Sequence, residues 1–284
     1  MFVLISIDLE GCAGVVHVDQ TRRGGGDYER ARAWMSREAN AAALGAFEAG
    51  ATRVVVNDSH ADMRNLLFEE LDPRVEVISG ALKPLSMVQG MDAGQPAAAF
   101  FVGYHGGAGL RASVLDHTYY GAVVGEIRLR PASGAADDPG LWVDEAAINA
   151  LVLGEAGVPV ALVTGDEAVT AHASERFPGV TTVAVKSSIT RYSARSIHPD
   201  EACRRIRAAA SEALRGLARV RPYTLPPPIG VTFSLLTTAY ADAAELVPGV
   251  VRLDARRVSY VAPTAREVLR AVLAITKIAG TVVV

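Results

Sequence analysis

Asp8 and Glu10 stand directly after the apolar run Phe2 to Ile7, His60 lies just past Arg53 to Val56, and His105 ends the run Ala99 to Tyr104. Two carboxylates and two imidazoles form a donor set that suits a divalent transition metal. No basic residue adjoins Asp8 and Glu10 in sequence, so side by side they repel unless a cation lies between them. On an extended strand positions i and i+2 point the same way, which lets both carboxylates face one site while Leu9 turns to the core. Taken alone, His60 in Asn57-Asp58-Ser59-His60 also suits a helix cap or a loop hydrogen bond. His105 precedes Gly106-Gly107, which permit a tight turn and close backbone approach. Neutral imidazole is the commonest metal ligand, and two strand-end histidines beside an Asp-x-Glu pair reinforce each other. The four residues together point to a metal site.

Such donors need a common edge to converge on. Short β-branched and aromatic runs bounded by turn residues read as buried parallel strands when helices separate them. Tyr28 to Gly50 carries Ala31, Met35, Ala39, Ala42, Ala43 and Ala46 at helical spacing, with Gly50 as its stop. A short helix is expected near Met63 to Glu70 and a strand at Val75 to Ile78. Asp144 to Glu155 reads as a helix closed by Gly157-Val158-Pro159, and Val160 to Thr164 as the next strand. Right-handed crossovers then give a mostly parallel sheet, and ligands collect beyond the carboxyl ends of its strands.

Pro131 to Gly140 is rich in small and polar residues and reads as an exposed loop or small insertion. Thr181 to Lys186 is a further strand, and Pro199 to Ala218 a helix. Pro222 to Pro228 marks a turn or linker, before a strand at Val231 to Leu236. An irregular stretch to Val258 precedes a last helix, Thr264 to Ile278, which runs into a terminal strand. The expected fold is α/β, a mostly parallel sheet flanked by helices with a smaller C-terminal α+β domain. Residues 1–190 form the metal-binding catalytic domain in this reading and 191–284 the second, with a soft boundary.

Composition narrows the partners. Half of the 284 residues are apolar, yet no unbroken apolar run is long enough to span a bilayer. The opening residues read as a strand rather than a secretion signal, since no positive segment precedes them. A net charge of −3 gives no reason to expect nucleic acid, and the arginines from Arg204 to Arg221 lie at the spacing of a solvated helix face. Cys12 and Cys203 are too few for a disulfide framework, so a reducing cytoplasm is the expected compartment, and Cys12 is expected to pack rather than ligate. Gly24-Gly25-Gly26 and the glycines from Gly103 to Gly109 lack a nucleotide-binding register, and no Gly-x-Ser-x-Gly elbow is present.

Ile7-Asp8-Leu9-Glu10-Gly11, Asn57-Asp58-Ser59-His60, Ser79-Gly80-Ala81-Leu82-Lys83-Pro84 and Gly103-Tyr104-His105 resemble, in order, the motifs of the zinc-dependent D-aminopeptidase family. The resemblance is collinear to about residue 190 and weaker beyond. It implies a binuclear zinc site on Asp8 as bridging carboxylate, Glu10, His60, His105 and Glu145, with His117 as the catalytic histidine, the nucleophile in the family. Because metal-bound hydroxide is itself a competent nucleophile, a proton shuttle or oxyanion donor suits His117 as well. Glu126 competes with Glu145, because the chain is longer than the family pattern across Arg128 to Trp142. Glu145 better keeps the spacing to the strand at Val160. With Asp8 shared, Glu10 and His105 complete one ion, and His60 and Glu145 the other. Three protein ligands each is the count of catalytic zinc, and the oxygen-rich set also tolerates manganese or cobalt.

The resemblance implies an aminopeptidase acting on short peptides with an N-terminal D-residue, of the D-Ala-D-Ala type. It also implies a homodecamer of two stacked rings, while the apolar run lengths give no reason to expect a membrane partner. Within enzymes the alternative is a binuclear amidase on non-peptide substrates, and outside them a metal-stabilised binding protein without turnover. His117 beside a full ligand set argues against the last, since a binding module needs no catalytic histidine.

Overall fold

β1 (Phe2–Ile7) is buried along almost its whole length, and its alternating side chains divide the interior in two. In the computed structural model, which describes residues 1–134 and 138–282, Val3, Ile5 and Ile7 enter one core and Leu4 the other. β2 (Arg53–Asp58) and β4 (Ala98–Tyr104) flank β1 in parallel, and β3 (Val75–Ile78) extends the sheet beyond β2. On the other side come β7 (Val160–Asp166) and β8 (Thr181–Thr190), both parallel, and β9 (Ser193–Ser196), which returns antiparallel. The order is β3-β2-β1-β4-β7-β8-β9. As expected of a buried parallel sheet, the central strands are apolar on both faces.

α1 (Tyr28–Glu48) and α4 (Pro199–Arg215) pack together over the Val3 and Ile5 face. The opposite face carries α2 (Glu145–Glu155) and α3 (Glu167–Arg176). It also shares a core with a second sheet, made of β5 (Val124–Pro131), β6 (Leu141–Trp142), β10 (Ile229–Leu235), β11 (Val251–Arg252) and β12 (Arg257–Ala262). This sheet is antiparallel in the order β11-β12-β10-β5-β6, with Ile127, Leu129, Val231 and Phe233 turned inward. α5 (Thr238–Ala244) and α6 (Ala265–Ala279) cover it.

The second sheet draws on both halves of the chain. β5 and β6 join strands a hundred residues later, and residue 190 is the last of β8 in the first sheet. The helix expected over Met63 to Glu70 is only a single 3-10 turn at Phe68–Glu70. The Asp58 carboxylate captures the backbone N–H groups of Asn65 and Leu66, which competes with helical pairing. The stretch read as irregular up to Val258 contains α5 and β11. The terminal strand expected after α6 falls partly on residues 283 and 284, outside the described residues. Among the described residues no helix is long and apolar enough to cross a membrane.

Candidate metal centre

The carboxyl ends of β1, β2 and β4 lie side by side, and the chain after each turns over the same edge. Asp8 continues the pairing of β1, its N–H donating to Val102 O at 2.9 Å, and the chain then bends, Cys12 N–H donating to Leu9 O at 3.1 Å. Glu10 therefore sits in a turn rather than on the strand, and it is the turn that brings it beside Asp8. The segment crosses the end of β4 so closely that a Cβ on Gly11 would lie 1.8 Å from Tyr104 O. Only glycine fits there.

Asp58, at the end of β2, shapes the loop that carries His60. Its oxygens accept from Asn65 N at 2.5 Å, Leu66 N at 2.9 Å and Asn65 Nδ2 at 2.9 Å, and the loop passes through left-handed Ala61 (φ 49°) and Met63 (φ 59°). Asp166, at the end of β7, does the same for the loop that carries His117, accepting from Ser113 Oγ at 2.6 Å and Val114 N at 3.0 Å. Leu115 (φ 54°) and Tyr119 (φ 57°) are left-handed on either side of His117. Glu145 opens α2 behind the N-cap Asp144, and its Oε1 accepts from Tyr119 N at 2.6 Å.

Asp8, Glu10, His60, His105 and Glu145 all converge here and are all buried, none more than 6% exposed. The histidines are each anchored from behind. His60 Nε2 donates to Thr21 O at 2.7 Å, His105 Nδ1 to Gly106 O at 3.0 Å, and His117 Nδ1 to Leu115 O at 2.8 Å. One nitrogen of each ring is thus committed to a backbone carbonyl, the usual arrangement behind a metal-ligating imidazole. The other nitrogen faces carboxylate oxygen. His60 Nδ1 is 3.1 Å from Asp8 Oδ1 and 2.9 Å from Glu10 Oε2. His105 Nε2 is 3.4 Å from Asp8 Oδ2 and 3.8 Å from Glu145 Oε1. His117 Nε2 is 3.9 Å from Glu145 Oε1, its ring stacked on His105 at 4.2 Å.

Neutral rings would set lone pair against lone pair, so a proton or a metal ion must lie between. Glu10 Oε2 and His105 Nε2 are indeed buried without a hydrogen bond of proper geometry. Asp8, Glu10 and His105 present donor atoms within 4.8 Å of one another, as do His105, His117 and Glu145. The residues fit a cation-binding centre.

The electrostatics carry the same message. Burial pushes the Glu145 carboxyl up to about 8, and the negative charge of Asp8 adds to this despite His105. Burial alone would lower His60 and His105, yet the surrounding carboxylates, Glu10 foremost for His60 and Asp8 for His105, hold both well above the ordinary imidazole value. Burial would likewise raise Asp8, but hydrogen bonds to His105 and His60 hold it far below. The centre draws in positive charge. His117 goes the other way, lowered by burial and by His105, which favours a neutral ring with a bare Nε2.

Glu126 is placed elsewhere, on β5, where it pairs with Arg128. The sequence reading did not single out Asp58, Asp166, Tyr119, Glu38 or Lys186, which support the ligand loops. A carboxylate at the end of an apolar strand was the available signal for Asp58 and Asp166. Nothing comparable marks Tyr119, which acts through its backbone N–H.

Residues 1–274 match the D-aminopeptidase family of peptidases. The chain is 34% identical over 283 residues to a D-aminopeptidase of Bacillus subtilis (strain 168), covering 98% of each sequence. Its structure is similar to that of the zinc-dependent D-aminopeptidase DppA from Bacillus subtilis, described as a self-compartmentalizing protease, with a TM-score of 0.92, 33% identity and full coverage of both chains.

Proposed function

The chain belongs to the D-aminopeptidase family, a family of metallo-peptidases, and from that premise we propose that it is a binuclear zinc aminopeptidase for short peptides with an N-terminal D-residue, such as D-Ala-D-Ala. The observation that carries this reading is the set of imidazole nitrogens turned toward buried carboxylates, each ring's other nitrogen already committed to a backbone carbonyl. Asp8 directs Oδ1 at His60 and Oδ2 at His105, as a carboxylate shared by two ions does. In this assignment Asp8, Glu10 and His105 would hold one zinc, and Asp8, His60 and Glu145 the other; Glu10 also lies 2.9 Å from His60, and Glu145 3.8 Å from His105, so the two glutamates could exchange places. Three carboxylates against two divalent ions leave about one positive charge, which favours electron-rich oxygen at the site. Manganese or cobalt fits the same donors. When bound, the metal pair supplies Lewis-acid polarisation of the scissile carbonyl and lowers the pKa of water.

His117 does the proton work in this reading. Leu115 O holds its Nδ1–H, so Nε2 is free to take a proton as the tetrahedral centre forms and to return it to the leaving amine. Its stack on His105 fixes the ring plane over the centre. A buried carboxylate edge also suits the free ammonium of a substrate N-terminus, which favours short peptides with open ends. The self-compartmentalizing character of the Bacillus relative supports a homo-oligomer, by the first resemblance a homodecamer, whose interior admits only small peptides.

Two measurements on one preparation test the proposal. Metal analysis should give two zinc equivalents per chain, and a library of short peptides should be cleaved only where the N-terminal residue is D and its amine free. Turnover confined to non-peptide amides would make it an amidase on the same scaffold, and zinc without turnover a binding protein.

A further inference from the structure

Lys186 is a buried lysine, only 3% exposed, and among the described residues no carboxylate lies within salt-bridge distance of it, although the charges of Asp166, Glu38 and Glu10 reach it. Its ammonium instead donates to three backbone carbonyls of one short segment, Glu10 O, Cys12 O at 2.9 Å and Val15 O at 2.5 Å. An ammonium has three protons, and the three carbonyls take all of them. The segment is held from other directions too. Glu38 on α1 accepts Ala13 N–H at 2.8 Å, and Ser196 Oγ accepts Gly14 N–H at 2.9 Å. Lys186 reaches this place from β8, more than 170 residues away in sequence.

Burying an ammonium is costly, and here that cost is met by three main-chain carbonyls that would otherwise lack this donor. The choice of acceptors argues for a narrower purpose. One of them is the main-chain carbonyl of Glu10 itself, so the ammonium fixes the backbone from which a metal-facing carboxylate projects. We propose that Lys186 is a positioning residue for the metal centre, holding the Glu10 carboxylate in ligating position by gathering the carbonyls of Glu10, Cys12 and Val15 around its ammonium. This rests on the metal-centre reading above.

The test is zinc binding by competition with a fluorescent chelator, in the wild-type chain and in Lys186→Met, Glu10→Ala and the double variant. Partners behind metal ligands typically contribute 10–100-fold to metal affinity, and Lys186→Met should weaken zinc by that factor. In the Glu10→Ala background the same substitution should weaken it no further, because the lysine acts through that carboxylate. Lys186→Gln keeps two donors and should lose less than Lys186→Met, and it carries the test if the methionine variant does not fold. A merely structural lysine would lower the melting temperature of the zinc-stripped protein while leaving zinc affinity intact, or would weaken zinc equally with and without Glu10, and either result overturns the proposal. Wild-type protein that binds no zinc, or a Glu10→Ala variant that binds it normally, would instead remove the metal-centre reading beneath it.

Discussion

Carboxylates meet two different fates in this molecule. On the second sheet and its helices they lie near the surface and are answered by guanidinium groups: Glu126 by Arg128, Asp254 by Arg257 at 2.6 Å, and Asp242 and Glu245 by Arg252 at 2.9 and 2.8 Å. At the carboxyl edge of the first sheet, Asp8, Glu10 and Glu145 are buried, and among the described residues no arginine or lysine pairs with them. Exposed pairs are electrically complete and, screened by solvent, contribute little to stability. A buried carboxylate cluster left without positive charge costs far more than that, so the cluster calls for a counter-charge, either protons on His60 and His105 or a metal ion between the donors. At the first sheet's edge Asp58 and Asp166 are answered by N–H and O–H donors of their own loops, which leaves Asp8, Glu10 and Glu145 facing only imidazoles and one backbone N–H.

The sharpest way to break this contrast is Asp8→Ala. If Asp8 serves both ions, the variant should lose both zinc equivalents and all measurable turnover, whereas Glu10→Ala should keep part of its metal. Full metal occupancy in Asp8→Ala would remove the shared carboxylate. His117→Ala should keep its metal and its fold but lose about 10²–10⁴-fold in kcat, the usual contribution of a proton-transfer residue. KM should change much less, provided the imidazole acts mainly in the transition state. Loss of zinc in that variant would make His117 a ligand.

The next comparison sets the two glutamates against each other. Glu145→Gln should remove about one zinc equivalent per chain and depress kcat, while Glu126→Gln should change neither and only break a surface pair worth about 0.2–1 kcal/mol. The reverse result would transfer the chemistry to the second sheet.

The smallest effect is on pH dependence. Burial pushes the Glu38 carboxyl up to about 7 from an ordinary value of 4.5. Between those values the folded protein binds more protons than the unfolded one, so this group's contribution to stability is fully present below about 4.5 and falls as pH rises toward 7. Glu38→Gln should flatten that fall in zinc-stripped protein, by at most about 1.4 kcal/mol per pH unit. Melting curves of both proteins from pH 4.5 to 7.5 check it, and parallel curves would count against a raised Glu38.

The metal-facing edge was far more legible in sequence than the sheet packed against it. Asp8, His60 and His105 announce themselves because buried parallel strands are continuous apolar runs, and a polar residue where such a run stops stands out. Glu145 follows an Asp at the start of a helical period, where the chain re-enters the sheet's edge. β5 carries Arg128 and Arg130 on its outer face, and its partner β10 lies a hundred residues on, so local pattern could not pair them. In sequence Lys186 is simply the last residue of a strand, Thr181 to Lys186. Its partners are main-chain carbonyls more than 170 residues upstream, and a carbonyl has no letter in the sequence.

The left-handed residues around the two histidine loops bear on how this protein can change. Ala61 and Met63 beside His60, and Leu115 and Tyr119 beside His117, occupy backbone conformations that disfavour any residue with a Cβ, by roughly 1–3 kcal/mol apiece. Glycine at these places would relax the chain. It would also free the two loops to wander from the geometry in which their imidazoles face the carboxylates. Selection for heat resistance would therefore be drawn to these very positions, and its gains there would come out of catalytic rate. A tougher version of this protein is better sought in the second sheet, where nothing reactive depends on the backbone being uncomfortable.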